Sequence, residues 1–472
     1  SVSEMKYDDF VDKEYIIMAI ESNLRGIPHA MDGLKPSQRK ILFACLKRKL
    51  HSEIKVAQLA GYTSEHAAYH HGEMSLNGAI VNMAQDYVGS NNINLLKPSG
   101  QFGTRLMGGK DAASPRYIFT QLSDLTEMLY HPADAPLYKH LEDDGQTIEP
   151  TYYLPVLPML LVNGSAGIGT GWSSTIYSYN PTDIIDRLKD LLKGKTPKRM
   201  VPWFKGFTGS VTAIPNTTKY AVRGEYNWIS SNTIHITELP VGTWTNNYKE
   251  FLERATEGYS AFKKGDIVSI KSNYTDIIVD FKIQLTTACA SKLQKSGVEK
   301  AFKLVTNIDI GNMHAFSASG QMKKYNTELE ILCEFFENRH ALYHTRQQHL
   351  CQTLQKTCTA LQQKIKFIEL VVTGQFSFVD KRKSQLMEEF TKHAFVQGAH
   401  EYLLTMPMWN LTQEKKESNQ KELRETEMRL TTIWNTTPES LWSYDLDQLQ
   451  QKFSNKRQRS DTQTMNKKIK IY

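Results

Sequence analysis

Nowhere in the 472 residues do about 18 apolar positions follow one another, so no segment reads as a membrane-spanning helix. The opening "SVSEMKYDDF" has neither the charged stretch nor the apolar stretch of a secretory signal. Cysteine is scarce: Cys45, Cys289, Cys333, Cys351 and Cys358 are odd in number, scattered and never spaced as a metal-binding pair. Reduced, packed thiols in a cytoplasmic setting are the expectation. No internal repeat is visible. From Thr327 to Val372 proline and glycine are missing altogether.

What is present is ordinary globular material in quantity. A hydrophobic content of 40% with 23% charged residues suits a folded chain with more than one core. The formal charge of +7 is modest, but "NKRQRSDTQTMNKKIKIY" (455–472) carries six Lys/Arg against one Asp. A basic tail of this kind suits either a polyanion or plain solvation.

The texture changes along the chain. Up to about residue 160, short helical patterns alternate with glycine-rich loops. "SQRKILFACLKRKL" (37–50) has apolar residues at 41, 42, 45, 46 and 50 and opens on a serine able to cap a helix. It predicts an amphipathic helix with a basic outer face. A second helix is expected across 73–88, with a shorter helical piece in "VAQLAGYTSEHAAYHHG" before it. Between about 205 and 320, "GSVTAI", "TIHITELP" and "DIIVDFKIQL" read as strands, interrupted by a helical "NNYKEFLERAT". A second, mixed α and β domain follows from that. The uninterrupted stretch after Thr327 carries Leu332, Phe336, Tyr343, Leu350, Leu354, Leu361, Ile365, Ile368 and Val372 mostly at intervals of three, four or seven. A helix of about 45 residues would run roughly 68 Å and needs a partner along its length. "LTQEKKESNQKELRETEMRLTTIW" (411–434) could return antiparallel after a globule at about 374–409. A bundle inside one domain is the alternative.

The chemistry concentrates in "GGKDAASPRYIFTQL" (108–122). A tyrosine of ordinary pKa near 10 is phenolate in only about one molecule in a thousand at pH 7, so a nucleophilic Tyr117 would need cationic help. Arg116 is adjacent, and Arg105 and Lys110 lie nearby in sequence. Gly103, Gly108 and Gly109 permit close backbone approach, and Ser114-Pro115 holds the chain extended. Upstream, "LRGIPHAMDGLKPSQRK" places Arg25, Lys35, Arg39 and Lys40 around turn chemistry, and "AYHHGE" supplies His70 and His71. Basic residues at a helix start beside histidines suit phosphate positioning, although the histidines also read as packed or capping residues. Two adjacent histidines without a third ligand do not make a zinc site.

In order, "MDGLKPSQRKILF", "VAQLAG", "AYHHGE", "NLLKPSGQFGTRLMGGKDAASPRYIF", "NGSAGIGTGW", "ELPVGTWT" and "YLLTMPMWNLTQEKKE" resemble the breakage-and-rejoining core of type IIA DNA topoisomerases. The resemblance runs from about residue 20 to 450, and the spelling is nearer the eukaryotic form than bacterial gyrase. Within the family, a stand-alone subunit spelled this way is similar to the medium subunit of the T-even bacteriophage topoisomerases, whose setting would be the bacterial host cytoplasm.

The resemblance implies an α+β multidomain fold. Residues 1–20 would form an N-terminal arm, 21–165 a winged-helix domain carrying Tyr117, and 166–325 an α/β tower. The outgoing coiled-coil helix would span 326–373, a dimerisation globule 374–409, the returning helix 410–450 and a basic tail 451–472. Tyr117 matches the nucleophile that joins the DNA 5′ phosphate, and Arg116 its partner in stabilising transition-state charge. Arg25, Lys35, Arg39, Lys40, Lys55, His70, His71, Gln101, Arg105 and Lys110 fall on blocks that hold the cleaved duplex. Ile168 matches the residue wedged between base pairs to bend DNA, and Gly167 and Gly169 beside it predict an exposed tip. The family's acidic metal-binding block and its ATPase module are not seen here; "LEDDGQ" (141–146) reads as a turn. Magnesium and ATP would then be bound by a partner subunit, and a second copy of the chain would complete a homodimer on double-stranded DNA. With little sequence after the returning helix for a wrapping domain, relaxation and unlinking are implied, not supercoiling. The alternative is a non-catalytic DNA-bending or bridging protein on the same fold.

Overall fold

A computed structural model describes residues 5–377 and 381–469. The chain divides into two compact units, Ser1–Arg339 with Asp445–Tyr472, and His340–Tyr444. The fold is mixed: small antiparallel sheets among helices, with one 45-residue helix. No helix among the described residues is long and apolar enough to cross a membrane.

In the first unit, helix α1 (Ile16–Gly26) leads into α2 (Pro36–Arg48), α3 (Val56–His66) and α4 (Glu73–Ala84). Helix α2 starts differently from expectation. Lys35, not Ser37, sits at the N-cap with Pro36 as the first helical residue, where its missing N–H costs nothing. The Gln38 side-chain oxygen accepts the Lys35 N–H at 2.9 Å. Ile41, Leu42, Ala44 and Cys45 form the buried face, while Lys47, Arg48 and Lys49 stay in water. A three-stranded sheet of β1 (Ile54–Lys55), β2 (Leu96–Ser99) and β3 (Phe119–Leu122) is ordered β1-β3-β2. Two hairpins follow. Strands β4 (His140–Asp143) and β5 (Gln146–Pro150) turn at Asp144-Gly145, both with positive φ, so the "LEDDGQ" segment is the turn expected. Strands β6 (Ser165–Gly169) and β7 (Trp172–Ile176) form the second.

The strand-rich segment contains β8 (Ser210–Ala213), β9 (Lys219–Arg223), β10 (Glu225–Ser230), β11 (Thr233–Glu238), β12 (Ile267–Ser272), β13 (Phe281–Leu285) and β14 (Val305–Asp309). They pair as β10-β11-β13-β12 and β14-β9-β8. Helix α5 (Thr245–Thr256) buries Tyr248, Phe251, Leu252 and Ala255 in a core with Ile234, Ile236, Phe281 and Ile283. This segment does not separate from the first 165 residues as a compact unit of its own. The Lys205 N–H donates to the Asn92 side-chain oxygen at 2.9 Å, and the buried Arg105 pairs with Glu238.

Helix α6 (Glu328–Val372) is the long helix. Within the His340–Tyr444 unit it runs antiparallel to α9 (Gln413–Asn435): Gln347 bonds the carbonyls of Ile433 and Thr436, and Glu369 pairs with Lys416 at 3.3 Å. Tyr343, Cys351, Cys358, Leu361 and Ile368 are buried along it, whereas Val372 is exposed. Between the two helices, α7 (Lys383–Lys392) and α8 (Ala399–Leu403) close over Phe367, Phe376, Phe390 and Leu403. The return is not one helix to residue 450. It stops at Asn435 and restarts as α10 (Pro438–Ile469), because the residue before a proline is driven out of the helical region. The side chains of the basic stretch beyond Ser454 lie outside the described residues.

Candidate active site

Tyr117 sits on a loop braced by the start of α3. The Ala57 N–H donates to the Pro115 carbonyl at 3.2 Å and the Val56 N–H to the Ile118 carbonyl at 3.0 Å. Two of the otherwise orphaned first-turn donors are thereby satisfied, and the positive end of the α3 dipole lies against the tyrosine loop. Inside the loop, the Tyr117 N–H closes a turn on Ser114 at 2.9 Å. Tyr117 is 74% exposed, Arg116 is exposed as well, and among the described residues neither side chain makes a hydrogen bond. Both are free to meet a ligand.

The glycine-rich approach explains the stiffness of this presentation. Gly103 has φ +97°, and a Cβ there would lie 2.5 Å from the Gly109 Cα. Only glycine allows that backbone contact. Asp111 fastens the loop further, accepting from the Thr104 N–H at 2.9 Å and the Thr104 hydroxyl at 2.6 Å. The Gln101 carbonyl accepts from the Ala113 N–H at 2.9 Å, and Lys55 stands opposite Phe119 in the sheet. The side chains of Lys55, Gln101 and Lys110 are exposed around the loop.

Five further expected residues come together elsewhere on the same unit. Arg25, Lys40, His70, His71 and Ile168 line one cleft of about 760 Å³. His70 meets Asp143 at 3.1 Å, and Lys40 pairs with Glu149 at 2.8 Å. Ile168 stands 83% exposed in the β6–β7 hairpin; the exposure is as expected, but the residue lies on the strand opposite Ser173 and not at the tip. Gly167 packs so closely on the carbonyl of Gly26 that any side chain would collide with it. Lys35 reaches that hairpin too, donating to Ala166 at 2.8 Å, and burial holds its ammonium below the usual lysine range.

Two expected phosphate ligands are not available. Arg39 is buried and grips Asp32 through Nε at 2.7 Å and Nη2 at 3.1 Å, while Arg105 is buried against Glu238. Each guanidinium is desolvated and already paired, so it supports the site from beneath without reaching solvent. Sequence reasoning missed their carboxylate partners and missed Trp244, whose indole occupies the space a Gly108 side chain would need. The acidic groups nearest Tyr117 in sequence are both engaged. Asp111 is held by Thr104, and Asp124 pairs with Lys97 at 2.6 Å.

A family model described as the DNA gyrase/topoisomerase IV A subunit matches residues 25–449. The chain belongs to this family. It is 38% identical over 511 residues to DNA topoisomerase 2 of Candida albicans, covering 96% of this chain and 35% of that protein. It is 42% identical to DNA topoisomerase 2 of Bombyx mori over 495 residues, with 93% of this chain and 32% of the relative covered. The crystal structure of the Plasmodium falciparum topoisomerase II DNA-binding, cleavage and re-ligation domain superposes with a TM-score of 0.90 at 39% identity. That match covers 97% of this chain and 66% of the other. The chain thus spans about a third of the length of these curated relatives.

Proposed function

We propose that this chain breaks and rejoins DNA as part of an ATP-dependent type II topoisomerase, with Tyr117 as nucleophile. The observation that carries the reading is an exposed tyrosine beside an exposed arginine on a loop braced at the positive end of α3, inside a chain matched by the family model along most of its length. The Tyr117 Oη attacks the phosphorus of a phosphodiester and gives its proton to water, and the bond to the 3′ oxygen breaks as that oxygen takes a proton from water. A 5′-phosphotyrosyl ester and a free 3′ hydroxyl result. Arg116 neutralises charge that grows on the phosphoryl oxygens. Since the ester conserves the broken bond, attack by the 3′ hydroxyl restores the strand without ATP.

The cleft of Arg25, Lys40, His70, His71 and Ile168 holds and bends the duplex in this reading. Phosphate contacts position it, and the exposed isoleucine inserts between base pairs, which costs a few kcal/mol and is offset by wider contact. One tyrosine opens one strand, so a double-strand gate takes two copies of the chain. Exposed Val396, Tyr402, Leu404 and Trp409 on the globule give that second copy an apolar surface to cover. Magnesium and ATP are bound outside these residues, and five free cysteines fit the reducing cytoplasm. The product is relaxed or unlinked DNA.

The test is trapping of covalent protein-DNA on a denaturing gel, with magnesium and the metal- and ATP-binding partner added. Label joined through a 5′ phosphate supports the reading. Its absence beside intact DNA binding would leave the bending or bridging protein, for which the cleft and Ile168 suffice.

A further inference from the structure

We propose that His340, His344 and Glu439 form a binding site for one zinc-class divalent cation within the His340–Tyr444 unit. One ligand atom from each of the three lies within 4.8 Å of the others. The two histidines stand one helical turn apart on α6, their ring centroids 5.0 Å apart, because positions i and i+4 share a helix face. Glu439, the second residue of α10, approaches from the other segment, its Oε1 2.6 Å from His340 Nε2.

This donor set suits zinc and not magnesium. Tetrahedral zinc binds imidazole nitrogen and carboxylate oxygen at about 2.0 to 2.2 Å, which places neighbouring ligand atoms roughly 3.4 Å apart. Binding would open the 2.6 Å His340–Glu439 contact and draw His344 in from within its present 4.8 Å. Magnesium prefers an all-oxygen shell, and nitrogen donors favour later divalent metals. With three protein ligands the fourth position is left to water. The ion would join α6 to the start of α10 directly across the interruption at Thr436–Pro438. None of the three residues belongs to the proposed DNA site, so the inference stands apart from that reading.

The purified full chain is titrated with cobalt(II) chloride in magnesium buffer, then with zinc chloride. One cobalt per chain, visible d–d bands stronger than those of octahedral aqueous cobalt, as a tetrahedral ion gives, and displacement by zinc are expected, together with a higher melting temperature in zinc. His344→Ala and Glu439→Gln should each weaken zinc by about tenfold or more. His344 is exposed, so its variant should melt like the parent when metal is absent. Failure to bind cobalt saturably, unchanged affinity in both variants, or an intense near-ultraviolet thiolate band from Cys333, Cys351 or Cys358 would each overturn the assignment.

Discussion

Lys35 donates its ammonium to the carbonyl of Ala166 at 2.8 Å, which ties the start of α2 to the hairpin that displays Ile168. The display is thus rigid at its base and exposed at its side chain. Ile168→Ala should leave the melting temperature within about 1 °C of the parent, because an exposed side chain contributes little burial. DNA bending, read by energy transfer between dyes at the ends of a short duplex, should fall to near the unbound value. Retained bending would remove Ile168 from the wedge role.

Tyr117→Phe deletes one exposed hydroxyl and no packing. Covalent adduct and strand passage should disappear, while the DNA dissociation constant stays within about twofold, since phosphate contacts carry the affinity. Arg116→Lys keeps the charge but loses the planar fork, and should slow cleavage with little change in binding. Normal passage by the phenylalanine variant would refute the assignment of the nucleophile.

Arg39 and Arg25 should separate cleanly. Removing Arg39 strands the carboxylate of Asp32, which is fully buried, at a cost of about 3 to 5 kcal/mol in unfolding free energy. Arg25→Ala should leave stability nearly unchanged yet lower the salt dependence of DNA binding by about one unit of slope. Denaturant melts and a salt titration give both numbers. A stable Arg39→Ala protein with weakened DNA binding would return Arg39 to the phosphate ligands.

These contrasts mark how far the sequence could be read. The Tyr117 loop, the exposure of Ile168 and the 45-residue helix were legible because local signals set them: glycines flanking one residue, proline next to another, and the long exclusion of both from Thr327 to Val372. The burial of Arg39 and Arg105 was not legible. Arginine in a basic block looks alike whether it faces solvent or a carboxylate, and Glu238 lies 133 residues from Arg105. The same non-locality hid Glu439, 99 residues from His340. In the blocks before residue 165 the sequence marked candidate residues, and the fold decided which of them reach water.

Acid should weaken the fold through His29. Burial, partly opposed by Asp32, pushes its pKa down from 6.5 to about 4. The neutral ring accepts the Met31 N–H at 3.2 Å and stacks on Tyr152 at 4.5 Å. Between those two values the unfolded chain binds more protons than the folded one, so stability falls as pH drops from 6.5 towards 4, on the order of 3 kcal/mol in all. Urea midpoints across that window should show the loss, and His29→Gln should flatten it. An unchanged slope in the variant would assign the acid sensitivity to other groups.

The last expectation concerns the globule. Of the apolar residues between Phe395 and Trp409, Leu403 is buried in the globule's own core and Phe395 packs against it. Val396 at 51%, Tyr402 at 37%, Leu404 at 39% and Trp409 at 78% exposure remain to be covered from outside. Deleting 374–409 would therefore confuse two effects, loss of the core around Phe367 and Phe390 and loss of the outer patch. Leu404→Glu with Trp409→Glu changes the patch alone. Their burial against a second copy would each contribute about 1.5 to 3 kcal/mol, and a charge forced into that contact reverses the gain. The double variant should shift sedimentation from dimer towards monomer at micromolar concentration and abolish strand passage, while its melting temperature and the binding of short duplexes by Arg25 and Lys40 persist. A parent protein that sediments as a monomer, or a double variant that unlinks DNA at the parent rate, would show that this patch closes no gate.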